Sequence, residues 1–196
     1  MKSPTRPAKQ KSHHSLRIIA GKWRGRRLDF PVLAGVRPTP ERVRETLFNW
    51  LAPVIHGSRC LDLYAGSGAL GLEAASRGAA KSVLVDRAAP IIAALGQHCE
   101  HLQAENIELI QSDAFAFLKN NKDLFDIVFL DPPFADNLME QSLALLLETD
   151  CLRPDARVYI EMKKGDRPVL PAGWEFLRSK QAGQVEYHLL VRNTKS

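Results

Sequence analysis

Apolar and polar positions follow two periods along this chain, and from residue 58 the periods take turns. Arg59-Cys-Leu-Asp-Leu-Tyr64, Ser82-Val-Leu-Val-Asp86, Ile107–Gln111, Asp126-Ile-Val-Phe-Leu-Asp131 and Ala156–Met162 are short apolar runs that predict strands. The run at 126–131 is apolar enough to lie at the centre of a sheet. Between them, Ala69–Arg77, Pro90–Leu102, Ala114–Asn120 and Asn137–Glu148 space their apolar residues as helices do. Within Pro90–Leu102 the apolar stripe is Ile91, Leu95, Cys99 and Leu102. Strands alternating with helices predict a parallel sheet covered on both faces. The alternation then stops: Trp174–Ser179 and Val185–Arg192 are two strands around a Gly-containing turn, so the chain closes with an antiparallel strand.

The first third reads differently. Leu16–Phe30 predicts a hairpin with a basic turn, Gly-Lys-Trp-Arg-Gly. Arg37-Pro-Thr-Pro-Glu41 predicts a helix start, with Thr39 as N-cap, Pro40 at the first helical position and Glu41 at the positive end of the helix dipole. Val43, Leu47, Trp50 and Leu51 form that helix's apolar face, and Pro53 ends it. Met1–Ser15 contains no Leu, Ile, Val or Phe and is expected to be a disordered basic tail. It lacks the apolar centre of a secretory signal. The expected organisation is therefore a tail (1–15), a hairpin-plus-helix extension (16–53) and one α/β domain (54–196).

Composition changes this picture little, and charge changes it more. A chain of 196 residues with 45% hydrophobic and 25% charged residues is an ordinary globular domain. The longest strictly apolar run, Ala88–Leu95, falls far short of the ~20 residues that span a bilayer. Cys60, Cys99 and Cys151 are odd in number and widely spaced, which excludes a disulfide framework and a C-x-x-C metal site and fits a reducing cytoplasm. His98, Cys99 and His101 share a helix, but Cys99 belongs to its apolar face, so no metal site is expected. The overall charge of +5 divides into a net +10 on residues 1–59 and −5 on the rest. A basic block on a mildly acidic body points to a grip for a polyanion.

Three features carry chemistry. Asp62-Leu-Tyr-Ala-Gly66-Ser-Gly68-Ala-Leu-Gly71 follows the first strand of the alternating region. Gly66 and Gly68 let the backbone bend toward a ligand, and Gly71 lets the helix pack on the strand. Asp86 ends the next strand and can take the two hydroxyls of a ribose. Nicotinamide cofactors and S-adenosylmethionine both use such a constellation. Asp62 separates them: a carboxylate below the loop repels a pyrophosphate and suits a sulfonium with an amino-acid head. Asp113, after the third strand, is placed either to cap the following helix or to accept from an adenine amine.

The second feature is Asp131-Pro132-Pro133-Phe134 at the end of the central strand. Two prolines remove two N–H donors and fix the residues before them as extended, so the turn presents the Asp131 carboxylate and the Pro132 carbonyl as rigid acceptors. Phe134 adds a flat apolar plate. Two acceptors beside an aromatic ring suit an amino group on a planar base, held for attack on an electrophilic methyl.

The third is the basic segment itself. Between Arg17 and Arg44 stand eight Lys/Arg and two acids, with Trp23 and Phe30 among them. Guanidinium groups pair with phosphates, and an aromatic here either packs the hairpin or stacks on an unpaired base.

These residues resemble a class I S-adenosylmethionine-dependent methyltransferase that acts on an exocyclic amine. Arg17-Ile-Ile-Ala-Gly-Lys-Trp-Arg-Gly-Arg-Arg-Leu28, Arg37-Pro-Thr-Pro-Glu-Arg-Val-Arg-Glu-Thr-Leu-Phe-Asn-Trp-Leu51 and Asp62–Glu73 together closely resemble the bacterial RsmD family, over about Leu16–Arg192. The resemblance implies a Rossmann-like sheet of order 3-2-1-4-5-7-6 with its last strand antiparallel. It implies methylation of guanine(966) N2 in the 16S rRNA of a partly assembled small subunit. Nothing in the sequence demands more than a monomer. The resemblance places Asp62, Gly66 and Gly68 on the methionine side of S-adenosylmethionine, Asp86 at the ribose and Asp113 at the adenine, with Tyr64, Ala65, Arg87, Ala114 and Asp131 as further cofactor contacts. Asp131 and Pro132 receive the amine and Phe134 stacks. Arg17, Lys22, Trp23, Arg24, Arg26, Arg27, Arg37, Thr39 and Arg42 are the expected RNA contacts. Read from the residues alone, methylation of an adenine or glutamine amine and a non-catalytic RNA-binding factor stay open.

Overall fold

The computed structural model describes residues 13–31, 39–133, 138–166 and 170–192. A two-stranded antiparallel hairpin, β1 (His13–Arg17) and β2 (Arg27–Pro31), precedes the helix α1 (Glu41–Leu51). Then β3 (Arg59–Asp62), α2 (Ala69–Ser76), β4 (Lys81–Asp86), α3 (Ala89–Leu102), β5 (Ile107–Gln111), α4 (Ala114–Asn120), β6 (Phe125–Leu130) and α5 (Leu138–Glu148) alternate strictly. The long β7 (Leu152–Lys163) and the hairpin of β8 (Trp174–Ala182) and β9 (Val185–Arg192) complete a seven-stranded sheet ordered β5-β4-β3-β6-β7-β9-β8. Counted within that sheet, this is the expected 3-2-1-4-5-7-6. β9 is antiparallel to both neighbours, and it lies inside the sheet while β8 takes the edge.

The alternation of side chains sends each strand's residues to two separate layers. Leu61, Val83, Val128, Leu130, Val158 and Ile160 pack under α4 and α5. Cys60, Ile127, Phe129, Tyr159 and Tyr187 face the other way, under α1 and α2. On that second face, α3 and the hairpin extend the layer around Leu72, Leu84 and Leu95. The strands are buried on both sides, which is why they read as continuous apolar runs.

The N-terminal extension is built into this layer. Leu16, Ile18, Trp23, Leu28 and Phe30 are each at most 5% exposed and share a core with α2 and α3. Glu73 of α2, fully buried, accepts from the backbone N–H of Ile19 and Ala20 and from Arg77, and faces Arg44 of α1 at 3.5 Å. The Ser76 carbonyl accepts from Lys22 N–H at 2.7 Å, and its hydroxyl accepts from Trp23 N–H and donates to the Ala20 carbonyl. A side chain at Gly21 would put its Cβ 1.8 Å from the Ser76 carbonyl oxygen, so only glycine lets the loop lie this close to α2.

Four sequence expectations are corrected. Residues 13–15, assigned to the tail, pair with Asp29–Pro31 as part of β1; residues 1–12 lie outside the described set. α1 begins at Glu41 with Pro40 at the cap position and no side-chain cap, because Thr39 is turned inward at 5% exposure and its carbonyl accepts from Arg44 Nε. β7 starts at Leu152 rather than Ala156, since Leu152 pairs with Phe125 before the register slips past Arg153-Pro-Asp. β8 runs on to Ala182 because β9 supplies partners along its whole length. No helix among the described residues is long and apolar enough to cross a membrane.

Candidate active site

Strand order decides where the acids meet. β3, β4 and β6 lie side by side and parallel, so the residues at their carboxyl ends share one rim. That rim carries Asp62, Asp86 and Asp131, and it is the usual ligand side of an open α/β sheet.

The glycine loop between β3 and α2 is held by two of these acids. Gly66 and Gly68 have φ of 50° and 74°. Asp86 binds the loop's Gly66 N–H at 3.0 Å and the Ala88 N–H at 2.9 Å, one through each carboxylate oxygen. Asp62 accepts from Gly71 N–H at 2.9 Å. A Cβ on Gly71 would lie 2.6 Å from Leu84 and 3.1 Å from the Asp62 carboxylate, so α2 can seat on β4 only with glycine there. Asp62 is buried, and the cost of desolvating its charge pushes its pKa up to about 7; the Gly71 bond pulls the other way and Asp86 adds to the rise.

Asp113 caps α4: its Oδ1 accepts from Phe115 and Ala116 N–H. Ala65 and Ala114 are buried, Arg87 is exposed, and the half-buried Tyr64 shares a hydrogen bond of 2.8 Å with Ser142 of α5. Asp131 is half-buried, Pro132 buried and Pro133 exposed; Phe134 lies outside the described residues. Among the described residues nothing donates a hydrogen bond to Asp131. Burial first, then the charges of Glu161 and Asp62, hold its carboxyl well above the usual range. Glu161, two residues before the end of β7, is a site residue that the sequence motifs do not mark. It is 7% exposed and accepts from the Tyr159 hydroxyl at 2.9 Å.

The basic side chains divide by exposure. Arg17, Lys22, Arg24, Arg26, Arg27 and Arg42 are exposed, and Arg17 also pairs with Glu41 at 3.2 Å. Trp23 and Thr39 are inside, so neither presents itself to an RNA; Trp23 takes the packing role left open by the sequence. Arg37 lies outside the described residues. A cavity of about 590 Å³ opens at the opposite rim, lined by Arg59, Lys81, Glu105, Asp126 and Arg153, remote from this chemistry.

A seven-stranded sheet in this order, with a glycine loop and acids at the ends of its middle strands, is the class I methyltransferase architecture. The solved structure of yhhF from Escherichia coli, described as a candidate methyltransferase, superposes with a TM-score of 0.86 at 43% identity, covering 93% of this chain and 100% of that one. Residues 16–191 match the family described as conserved hypothetical protein 95. Ribosomal RNA small subunit methyltransferase D of Escherichia coli K12 is 44% identical over 191 residues, 95% of this chain and 96% of that protein. Its Haemophilus influenzae counterpart is 46% identical over 178 residues, 89% of this chain and 92% of that protein. The chain belongs to this family, the RsmD family of methyltransferases, as its basic and glycine-loop motifs implied.

Proposed function

We propose that this protein transfers a methyl group from S-adenosylmethionine to the exocyclic N2 amine of guanine(966) in the 16S rRNA of a partly assembled small subunit. The observation that carries the reading is Asp131: an acceptor with no donor among the described residues, on a two-proline turn, beside the glycine loop. The family membership supports the substrate class, since the relatives are named for small-subunit ribosomal RNA.

The residues present fit the cofactor. The buried Asp62 and Glu161 and the half-buried Asp131 form an acidic group with no ion pair among the described residues, which suits a positively charged ligand. Asp62, Gly66 and Gly68 would line its methionine part, Asp86 its ribose and Asp113 its adenine, with Tyr64, Ala65, Arg87 and Ala114 around them. The cofactor supplies the electrophilic methyl. Asp131 and the Pro132 carbonyl orient the amine, and Phe134 stacks on the base. A guanine reaches this turn only after leaving its stack, at a cost of a few kcal/mol. The exposed cations from Arg17 to Arg42 hold the flanking phosphates; Lys22, Arg24 and Arg26 stand on the hairpin loop that α2 fixes relative to the site.

Two measurements test this. Methyl-labelled S-adenosylmethionine, incubated with unmodified small subunits and with naked rRNA, should yield N2-methylguanosine, more on the particle than on the naked RNA. Labelled N6-methyladenosine, labelled protein, or no label with cofactor bound overturns the reading. In a salt series, log RNA affinity should fall with log salt at a slope of about −4 to −5 if the six exposed cations each neutralise one phosphate. A slope near zero would remove the RNA role of the extension.

A further inference from the structure

β6 and β7 run parallel with Leu130 opposite Ile160, so Asp131 and Glu161 come next in register. Alternation places both on the face that carries Phe129 and Tyr159. Asp62 lies across β6 on β3, opposite Phe129 and on the same face. Tyr187 of β9 stands opposite Glu161, and its ring lies 6.4 Å from that of Tyr159. The face thus carries three carboxylates in a row over an aromatic floor. From α1 and α2, Arg44 and Glu73 turn to each other rather than to the row. Asp86 of β4 acts on Asp62. Lys163 of β7 and Lys180 of β8 fall on the same face but are exposed, and neither forms an ion pair among the described residues. The charged groups that act on Asp131 are Glu161 and Asp62, both acids.

We propose that Glu161, fixed by Tyr159, is a positioning residue that keeps a proton on Asp131 while no cationic donor is bound, and that a cationic methyl donor expels this proton and leaves Asp131 ionised as the acceptor of the amine. This rests on the reading of Asp131 as that acceptor. Three carboxylates this close on one face, two of them buried and the third half-buried, resist being charged together; neighbouring acids then titrate together. The Tyr159 hydroxyl favours charge on Glu161, and the Gly71 amide favours charge on Asp62. Among the described residues Asp131 has no such donor, so the proton settles there. During transfer Asp131 takes up the proton that the amine nitrogen sheds as its bond to the methyl carbon forms and the carbon–sulfur bond breaks, the electron pair staying on sulfur. The product sulfur is neutral, so Asp131 keeps this proton until the next cationic donor arrives. One proton is released per methyl transferred, at donor binding.

The test is calorimetric titration of the full-length protein with S-adenosylmethionine and with S-adenosylhomocysteine near neutral pH, in phosphate and in Tris, whose ionisation enthalpies differ. The cationic donor should release about one proton and the neutral thioether far less. Affinity for the donor alone should rise with pH between the pKa of Asp131 without donor and its lowered value with donor bound. In Glu161→Gln the release should fall below half while binding persists. Should that variant fail to fold, Asp131→Asn carries the same test: its release with the donor should drop to that seen with the thioether. Equal release by both ligands, or full release in either variant, overturns the proposal. Failure of the donor to bind at all would instead overturn the cofactor reading.

Discussion

Replacing Asp131 by Ala should lower turnover by about 10²–10³-fold or more while leaving cofactor affinity within a few-fold. Single-turnover kinetics and a binding titration on the same sample check the two halves. The split follows from geometry. Asp131 stands at the end of β6, past the last residue of the ladder, and no described group donates to it. Its loss therefore orphans no partner inside the protein. The glycine loop is held independently, by Asp86 and Asp62 through Gly66 and Gly71. The missing carboxylate removes the acceptor that aims the amine, and an amine whose lone pair is delocalised into its ring depends on that aim. Loss of cofactor affinity together with turnover would show that Asp131 shapes the loop instead.

Glu73→Ala should produce the largest loss of stability, about 3–5 kcal/mol, because it strips a buried charge of its partner. For a domain of this size that lowers the thermal midpoint by roughly 6–20 °C. Thermal unfolding followed by circular dichroism reads it directly. Glu73 is fully buried and gathers the Ile19 N–H at 2.8 Å, the Ala20 N–H at 3.0 Å, Arg77 at 2.7 Å and Arg44 at 3.5 Å. With Ala in its place, Arg44 at 3% exposure keeps its charge without a counter-ion, and two backbone donors lose their acceptor. The basic loop would loosen from α2 in the same event, so RNA affinity should fall along with stability. A midpoint within a degree or two of the wild type would mean that the junction is held elsewhere.

The motifs at strand ends were legible because they combine two local signals. An apolar run fixes a strand, and Gly, Asp or Pro just after it fixes the turn. Asp62, Asp86, Asp113 and Asp131 were all found this way. Glu161 lies inside β7, two residues before the strand ends at Lys163, so no turn residue follows it directly and the same rule does not reach it. The surroundings of Trp23 and Thr39 are set from outside their own segments. Trp23 packs with α2 and α3, the alternative that the sequence left open beside stacking on a base, and the buried Thr39 gives its carbonyl to Arg44 of α1. Nothing within fifty residues of Glu73 announces that it will hold the Ile19 and Ala20 amides.

The sequence by itself determined the elements, the glycine loop, the two-proline turn and the family, because each is written in residues close along the chain, where period and turn chemistry act. Only the tertiary structure decided which face of the sheet the acids share, which basic side chains remain outside, and that the N-terminal extension is locked to the helix after the glycine loop. Those outcomes depend on register between strands and on burial against distant helices. Both are set when separate segments exclude water from one another, and no local pattern encodes that.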